Sequence, residues 1–288
     1  MKILVLGVTG MLGSAVFKTL SKNPIHQVWG TLRSVNIRHH FNEEAFEYLL
    51  SDVDVLNHDS LVDVLVRVQP DVVINCIGLI KQLSNASNPL SILPINTLFP
   101  HRLANLCELI NARLIHISTD CVFNGRKGLY KEEDASDAED LYGKSKYMGE
   151  LHDLAHVITL RTSIIGHEIN SKTSLVDWFL SQTGQVEGYQ NAIFSGLPTV
   201  ELAEVIQDFV IPDINLHGLY HVSVAPIDKY TLLCLIADIY GKKIKMVADE
   251  KIQIDRSLNS IRFRNATGYV PPSWPQLIKK MHNLHQGK

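Results

Sequence analysis

The stretch KILVLGVTGMLGS, Lys2–Ser14, limits this chain more than any other part of it. A short apolar run stops at Gly7, and glycines recur at Gly10 and Gly13. An apolar run that ends at glycine reads as a buried parallel strand. A GxxGxxG turn leading from such a strand into a helix is a dinucleotide cradle. Its glycines allow a tight turn, let the backbone approach a pyrophosphate and bring helix against strand. The helix N-terminus adds unpaired N–H groups and the positive end of its dipole. Gly7, Thr9, Gly10, Met11, Leu12 and Gly13 are therefore the expected cofactor loop. The leading Lys and apolar run also mimic a signal peptide. The glycines and the lack of a clean small-residue cleavage pattern favour a first strand, and with it a cytoplasmic location.

The alternation continues downstream. Leu12–Ser21 reads as a helix, His26–Leu32 as a strand, and Asp59–Gln69 as a helix that an aspartate caps. Asp71–Gly78 and Ala112–Ser118 read as strands, with a helix over TLFPHRLANLCELIN between them. His156–Ile165 is a further strand. A β-α-β-α order predicts an α/β protein with a Rossmann, doubly wound parallel sheet. Past Gly166 the pattern loosens. The expected division is an NADP-binding Rossmann domain over 1–166 and a smaller C-terminal substrate-binding lobe over 167–288. Within that lobe, about 200–224 packs back on the first domain, because HGLYHVS, His217–Ser223, looks like a returning strand.

The 288 residues suffice for a sizeable core. The formal net charge is −3, from 27 Lys+Arg against 30 Asp+Glu, so no basic surplus marks a nucleic-acid partner. No stretch is long and apolar enough to span a membrane. The four cysteines (Cys76, Cys107, Cys121 and Cys234) lack CxxC spacing. They read as buried free thiols in a reducing compartment, with no structural zinc site.

The end of the second strand selects the cofactor. An NAD site places an acid there to hold the ribose hydroxyls. Here the run is GTLRS, with Arg33 and Ser34. An arginine at this place pairs with a 2′-phosphate, which favours NADP(H) over NAD(H). Asp54 and Val55 in DVLN are placed to flank the adenine. Cys76, Ile77 and Gly78 end a strand at the sheet's carboxyl edge, where ligands bind in such folds.

In LYGKSKYMGE, Tyr142 stands four residues before Lys146. Residues at i and i+4 share a helix face. A nearby lysine cation favours a phenolate and would lower the tyrosine's pKa, tuning it for proton transfer. Alone, the pair is a common surface pattern.

Together these features are similar to the extended short-chain dehydrogenase/reductases, and within them to the dTDP-4-dehydrorhamnose reductase (RmlD-like) family. The resemblance spans nearly the whole chain. It rests on GVTGMLG (7–13), DVLNHDSL (54–61), PDVVINCIG (70–78), STDCVFNG (118–125), YGKSKYMGE (142–150), LRTSIIG (160–166), GLPTVELA (196–203) and GLYHVS (218–223). It implies that Tyr142 is the catalytic acid, that Lys146 is its partner and a ligand of the nicotinamide ribose, and that both side chains belong to the cofactor site. Thr119 would be the third member, bonding the same substrate oxygen as Tyr142. It adds Asn96 to the cofactor residues. It implies NADPH reduction of a keto group on a nucleotide-activated 4-keto-6-deoxysugar, and leaves a homodimer open. The expected substrate-facing residues are Lys81, Cys121, Val122, Phe123, Ser163, Ile164 and Arg256. Arg256 is able to clamp a diphosphate. No metal ligands carry over.

Two positions depart from the family. Cys121 stands where a tyrosine often follows Ser-Thr-Asp, and Ile164 replaces the tryptophan of an RTSW motif. Both lie near the sugar in the family, so the sugar's identity is open. Three rival readings follow. A dehydratase needs a Thr-Asp-Glu run, and the glutamate is absent here. An epimerase needs only a retained cofactor and a base. A non-catalytic, NADP-binding regulatory subunit that resembles these reductases needs neither.

Overall fold

The computed structural model describes residues 1–80, 87–169 and 173–287, excluding the side chains of 37–39. Among these residues, seven parallel strands form the central sheet. In chain order they are β1 (Lys2–Leu6), β2 (Gln27–Thr31), β3 (Leu49–Leu50), β4 (Val72–Asn75), β5 (Arg113–Thr119), β6 (Val157–Thr162) and, after short strands β7 (Ile164–Ile165), β8 (Gln185–Tyr189), β9 (Ala192–Phe194) and β10 (Leu197–Pro198), β11 (Gly218–His221). The spatial order is β11-β6-β5-β4-β1-β2-β3. The chain runs outward from β1 to β3, then returns to β4 and builds the other half. The crevice at that reversal, outside the carboxyl ends of β1 and β4, is where such sheets bind ligands.

Helices cover both faces. On one face lie α1 (Met11–Leu20) and, from beyond residue 166, α7 (Thr199–Val205) and α10 (Trp274–His285), sharing one core with Ile3, Val5 and Ile74. On the other lie α2 (His58–Val68) and α4 (Phe99–Leu109), packed on Leu4, Leu6 and Val73. β1 is buried over Ile3–Leu6, as a central parallel strand covered on two sides must be. β11 pairs with β6. The His217–Ser223 segment contains β11, and α7 packs against α1.

Several local expectations shift. The cap of α2 is Asn57, whose side chain accepts from Asp59 N and Ser60 N; Asp59 lies in the first turn. The helix predicted around Pro100 begins earlier, with α3 (Pro89–Leu93), and runs through a π-turn at Pro94–Leu98 into α4. Pro100 is the second residue of α4, directly after the π-turn. The strand predicted over 156–165 breaks at Ser163 into β6 and β7. All four cysteines are free, but only Cys107 is fully buried. No helix of the described residues is long and apolar enough to cross a membrane.

Candidate active site

The glycine loop joins β1 to α1, and close approach explains its third glycine. A Cβ on Gly13 would stand 2.2 Å from the Gly7 carbonyl oxygen. Gly13→Ala therefore forces α1 away from β1. The expected result is a loss of about 1–3 kcal/mol of stability together with loss of nicotinamide-cofactor binding, read by thermal melts with and without NADPH. On the outer side, Gly10 is exposed. No side chain caps α1, whereas Asn57, Asn88, Asp140, Ser174 and Asp228 cap other helices. Uncapped N–H groups on an open glycine turn fit a dinucleotide's phosphates.

The predicted adenosine side lies beside it. Thr31 Oγ1 accepts from Gly7 N at 3.1 Å, so it holds the loop in place. Arg33 is exposed at the end of β2, with Ser34 next to it. Asp54 is exposed and accepts from Leu56 N at 3.0 Å, while Val55 is half-buried. Cys76 and Ile77 are half-buried and Gly78 is exposed, just past β4. Asn96 sits on the π-turn with both ends of its amide engaged: Oδ1 accepts from Leu79 N at 2.8 Å, and Nδ2 donates to Leu79 O and Ser145 Oγ. Its side chain ties the loop after β4 to α5 (Leu141–Met148). π-turns inside helices often mark functional sites.

The proposed catalytic residues converge at the carboxyl end of β5. Thr119 is its last residue. Its Oγ1 accepts from Cys121 N at 3.1 Å and donates to Asp120 Oδ1 at 3.2 Å, so the local turn bond exists. Thr119 is near enough to the Tyr142 phenol to pull its pKa downward. Tyr142 lies in the first turn of α5, which Asp140 caps by accepting from Gly143 N at 2.8 Å. Gly143 brings this helix in. A Cβ there would stand 2.2 Å from Cys121 O, so only glycine lets α5 lie against the turn after Thr119.

The electrostatics differ from expectation. The Tyr142 phenol is pushed up, not down. Burial dominates, and the neighbouring Cys121, Asp120 and Asp140 add to it, outweighing the pull of Thr119. The phenol is thus held protonated, the state a proton donor needs. Lys146 is buried, and its Nζ donates to Ile117 O at 2.8 Å. Burial lowers it to about 8, against an opposing pull from Glu150 and Cys76.

The substrate side is mixed. Cys121, Ser163 and Ile164 are half-buried around the same strand ends. Val122 and Phe123 are a correction. Both side chains are wholly buried with Tyr130 and Leu258, and Phe123 stacks on Tyr130 at 4.0 Å. Both side chains pack inside that cluster directly after the Thr119 turn. Arg256 lies against the turn, donating from Nε to Phe123 O at 2.7 Å and reaching Cys121 Sγ at 3.9 Å. Lys81 lies outside the described residues. Asp120, which sequence reasoning passed over, is buried at the centre. Burial pushes its carboxyl up, and the Arg256 charge with hydrogen bonds from Cys121, Thr119 and Ser163 pulls it back. Its place between Thr119 and Cys121 in the quoted STDCVFNG run was the available signal. Among the described residues, no group of three or more His, Cys, Asp or Glu is placed to hold a metal ion.

This arrangement, a glycine cradle facing a Thr–Tyr–Lys set at the sheet's switch point, has relatives. Residues 1–284 match the RmlD substrate binding domain family. The chain belongs to that family. It is thereby an RmlD-like extended short-chain dehydrogenase/reductase, on the fold of NAD(P)-linked oxidoreductases. Among curated relatives, the methionine adenosyltransferase 2 subunit beta of Danio rerio is 30% identical over 259 residues, covering 83% of this chain and 74% of that one. The probable low-salt glycan biosynthesis reductase Agl14 of Haloferax volcanii is 35% identical over 147 residues, 51% of this chain and 46% of that one. The dTDP-4-dehydrorhamnose reductase of Bacillus anthracis, solved in complex with NADP, superposes with a TM-score of 0.79 at 20% identity, covering 98% of both chains. At that identity the match speaks to the fold alone.

Proposed function

We propose that this RmlD-family chain reduces the keto group of a nucleotide-activated 4-keto-6-deoxysugar with NADPH, in the making of deoxysugars for surface glycans. The observation that carries this is the packing of α5, which bears Tyr142 and Lys146, through Gly143 against the turn that follows Thr119 at the carboxyl end of β5. A nicotinamide cofactor on the glycine cradle supplies the hydride. The chain supplies the rest. Tyr142, held as a phenol, gives its proton to the developing alkoxide. Thr119 donates a hydrogen bond to the same oxygen and stabilises its charge. Lys146 is placed to bond the nicotinamide ribose. The Asp120–Arg256 side takes the sugar. The proposed division of labour keeps the cofactor on 1–166 and the nucleotide of the substrate on 167–288, with the reacting sugar at the ends of β5 and β6.

The test is NADPH oxidation with a panel of dTDP-, UDP- and GDP-linked 4-keto-6-deoxysugars. Turnover of one member supports the reading and names the sugar. Silence with every member counts against it. The NADP preference rests on Arg33. Arg33→Ala is expected to weaken NADPH binding about tenfold, the loss of one charge-assisted bond, and to leave NADH binding unchanged. Equal weakening of both in a fluorescence titration contradicts the assignment.

One observation favours a second reading, a regulatory subunit. The Danio rerio relative is by name a subunit of another enzyme, and the likeness spans most of it. Recovery of a stoichiometric foreign enzyme with this chain, with no ketone reduced, would support that role.

A further inference from the structure

Glu150 follows α5 directly, just past its cap Gly149. Its carboxylate is fully buried. Oε1 accepts from Ser118 Oγ at 2.6 Å and from Arg161 Nε at 2.8 Å. Oε2 accepts from an Arg161 terminal nitrogen at 2.7 Å and meets His152 Nε2 at 3.1 Å. Ser118 immediately precedes Thr119 on β5, and Arg161 lies on β6. Arg161 is itself fixed, its other terminal nitrogen 3.3 Å from His221 Nε2 and its guanidinium 5.2 Å above the Phe123 ring. One carboxylate therefore joins the end of the helix that carries Tyr142 and Lys146 to the strand that ends in Thr119.

We propose that Glu150 is a positioning residue of this site: it clamps the Tyr142–Lys146 helix to the Thr119 strand and fixes a buried anion four residues past Lys146. The proposal rests on the reading of Thr119, Tyr142 and Lys146 given above. Geometry makes the clamp, and the surroundings make the charge matter. Cys76, past β4, faces Lys146 as a neutral thiol, since burial pushes it up to about 12. His116 on β5 is buried and held neutral by burial and by Lys146 itself, with Nδ1 3.1 Å from Asn75 Nδ2. His101 on α4 faces His116 and meets Met148 O at 2.8 Å through Nε2. Tyr142 is a neutral phenol. The ionised acid acting on Lys146 is Glu150. Burial alone would raise its carboxyl, but hydrogen bonds from Arg161, His152 and Ser118 with the Arg161 charge hold it at about 2. An opposite charge this close favours the charged amine, and without it burial would carry Lys146 further down.

The test is a direct titration of Lys146 in the whole, cofactor-free chain. Lysines are labelled with 15N at Nζ, and the Lys146 signal is assigned by its loss in Lys146→Arg. In Glu150→Gln the Lys146 midpoint is expected to fall by about one pH unit or more. Glu150→Asp, which keeps the charge, is expected to recover most of that shift. If Glu150→Gln does not fold, Glu150→Gln/Arg161→Gln replaces it, because that pair leaves no unpaired buried charge. Its midpoint is also expected to fall, though by less, because the Arg161 cation removed with Glu150 offsets part of the loss. An unchanged midpoint in whichever variant folds overturns the proposal. If the chain turns over a keto-sugar, the alkaline fall in kcat moves acidward with Lys146. If the native chain turns over none, the proposed reaction fails, and the titration still decides the role of Glu150.

Discussion

Tyr142→Phe is expected to lower kcat for keto-sugar reduction by about 10²–10⁴-fold, the usual worth of a positioned proton donor. The reason is specific to this site. The phenol is buried and pushed up in pKa, so it is fully protonated near neutral pH and acts as an acid. Phenylalanine keeps the ring and removes only the proton. Stability and NADPH affinity should therefore change little, because the α5 contacts that involve Gly143 and Asp140 persist. Steady-state kinetics beside a cofactor titration check both halves. A large loss of NADPH binding in Tyr142→Phe would mean that the phenol holds the cofactor rather than serving the chemistry.

The second large effect concerns stability. Arg161→Met strips the buried Glu150 of its bidentate partner and should cost about 3–5 kcal/mol. The pH dependence has a definite sign. In the native chain Glu150 is depressed to about 2, below its unfolded value. Its contribution is therefore fully present above the unfolded carboxylate pKa and is lost as pH falls through the folded one. Without Arg161, burial raises the Glu150 carboxyl instead. The variant is then penalised most near neutral pH and regains stability as acid neutralises the carboxylate. Denaturant melts of the two proteins should draw closer between pH 7 and pH 4. A gap that widens over that range would mean the pair is not what holds Glu150 ionised.

Local signals were legible in the sequence. The strand–glycine–helix start carries its own steric logic, and Gly7, Gly10 and Gly13 stand where the fold needs them. Tyr142 and Lys146 share a helix because an i, i+4 spacing requires it. Thr119 stands out through the family resemblance, since a hydroxyl at a strand end alone reads as a local turn bond. What was missed depends on residues far apart in the chain. Glu150 meets Ser118 and Arg161 only after α5, β5 and β6 assemble. Phe123 lies in a core with Leu258, 135 positions along. The sequence pairing of Tyr142 with Lys146 suggested a lowered phenol, yet burial pushes it up and the nearby Cys121, Asp120 and Asp140 add to that. The helix before Pro100 was cut short because the π-turn at Pro94–Leu98 breaks the ordinary periodicity while keeping the axis continuous.

The most direct measurement follows the hydride. NADPH deuterated at the transferring position would be incubated with the panel member that is turned over, and the sugar product examined by mass spectrometry and NMR. The account predicts one deuterium on the former carbonyl carbon for each NADPH oxidised, and the same label formed about 10²–10⁴-fold more slowly in Tyr142→Phe. Product without deuterium and without NADPH consumption would show an epimerase. No product, beside tight NADPH binding and a bound partner enzyme, would contradict catalysis and assign the chain a regulatory role.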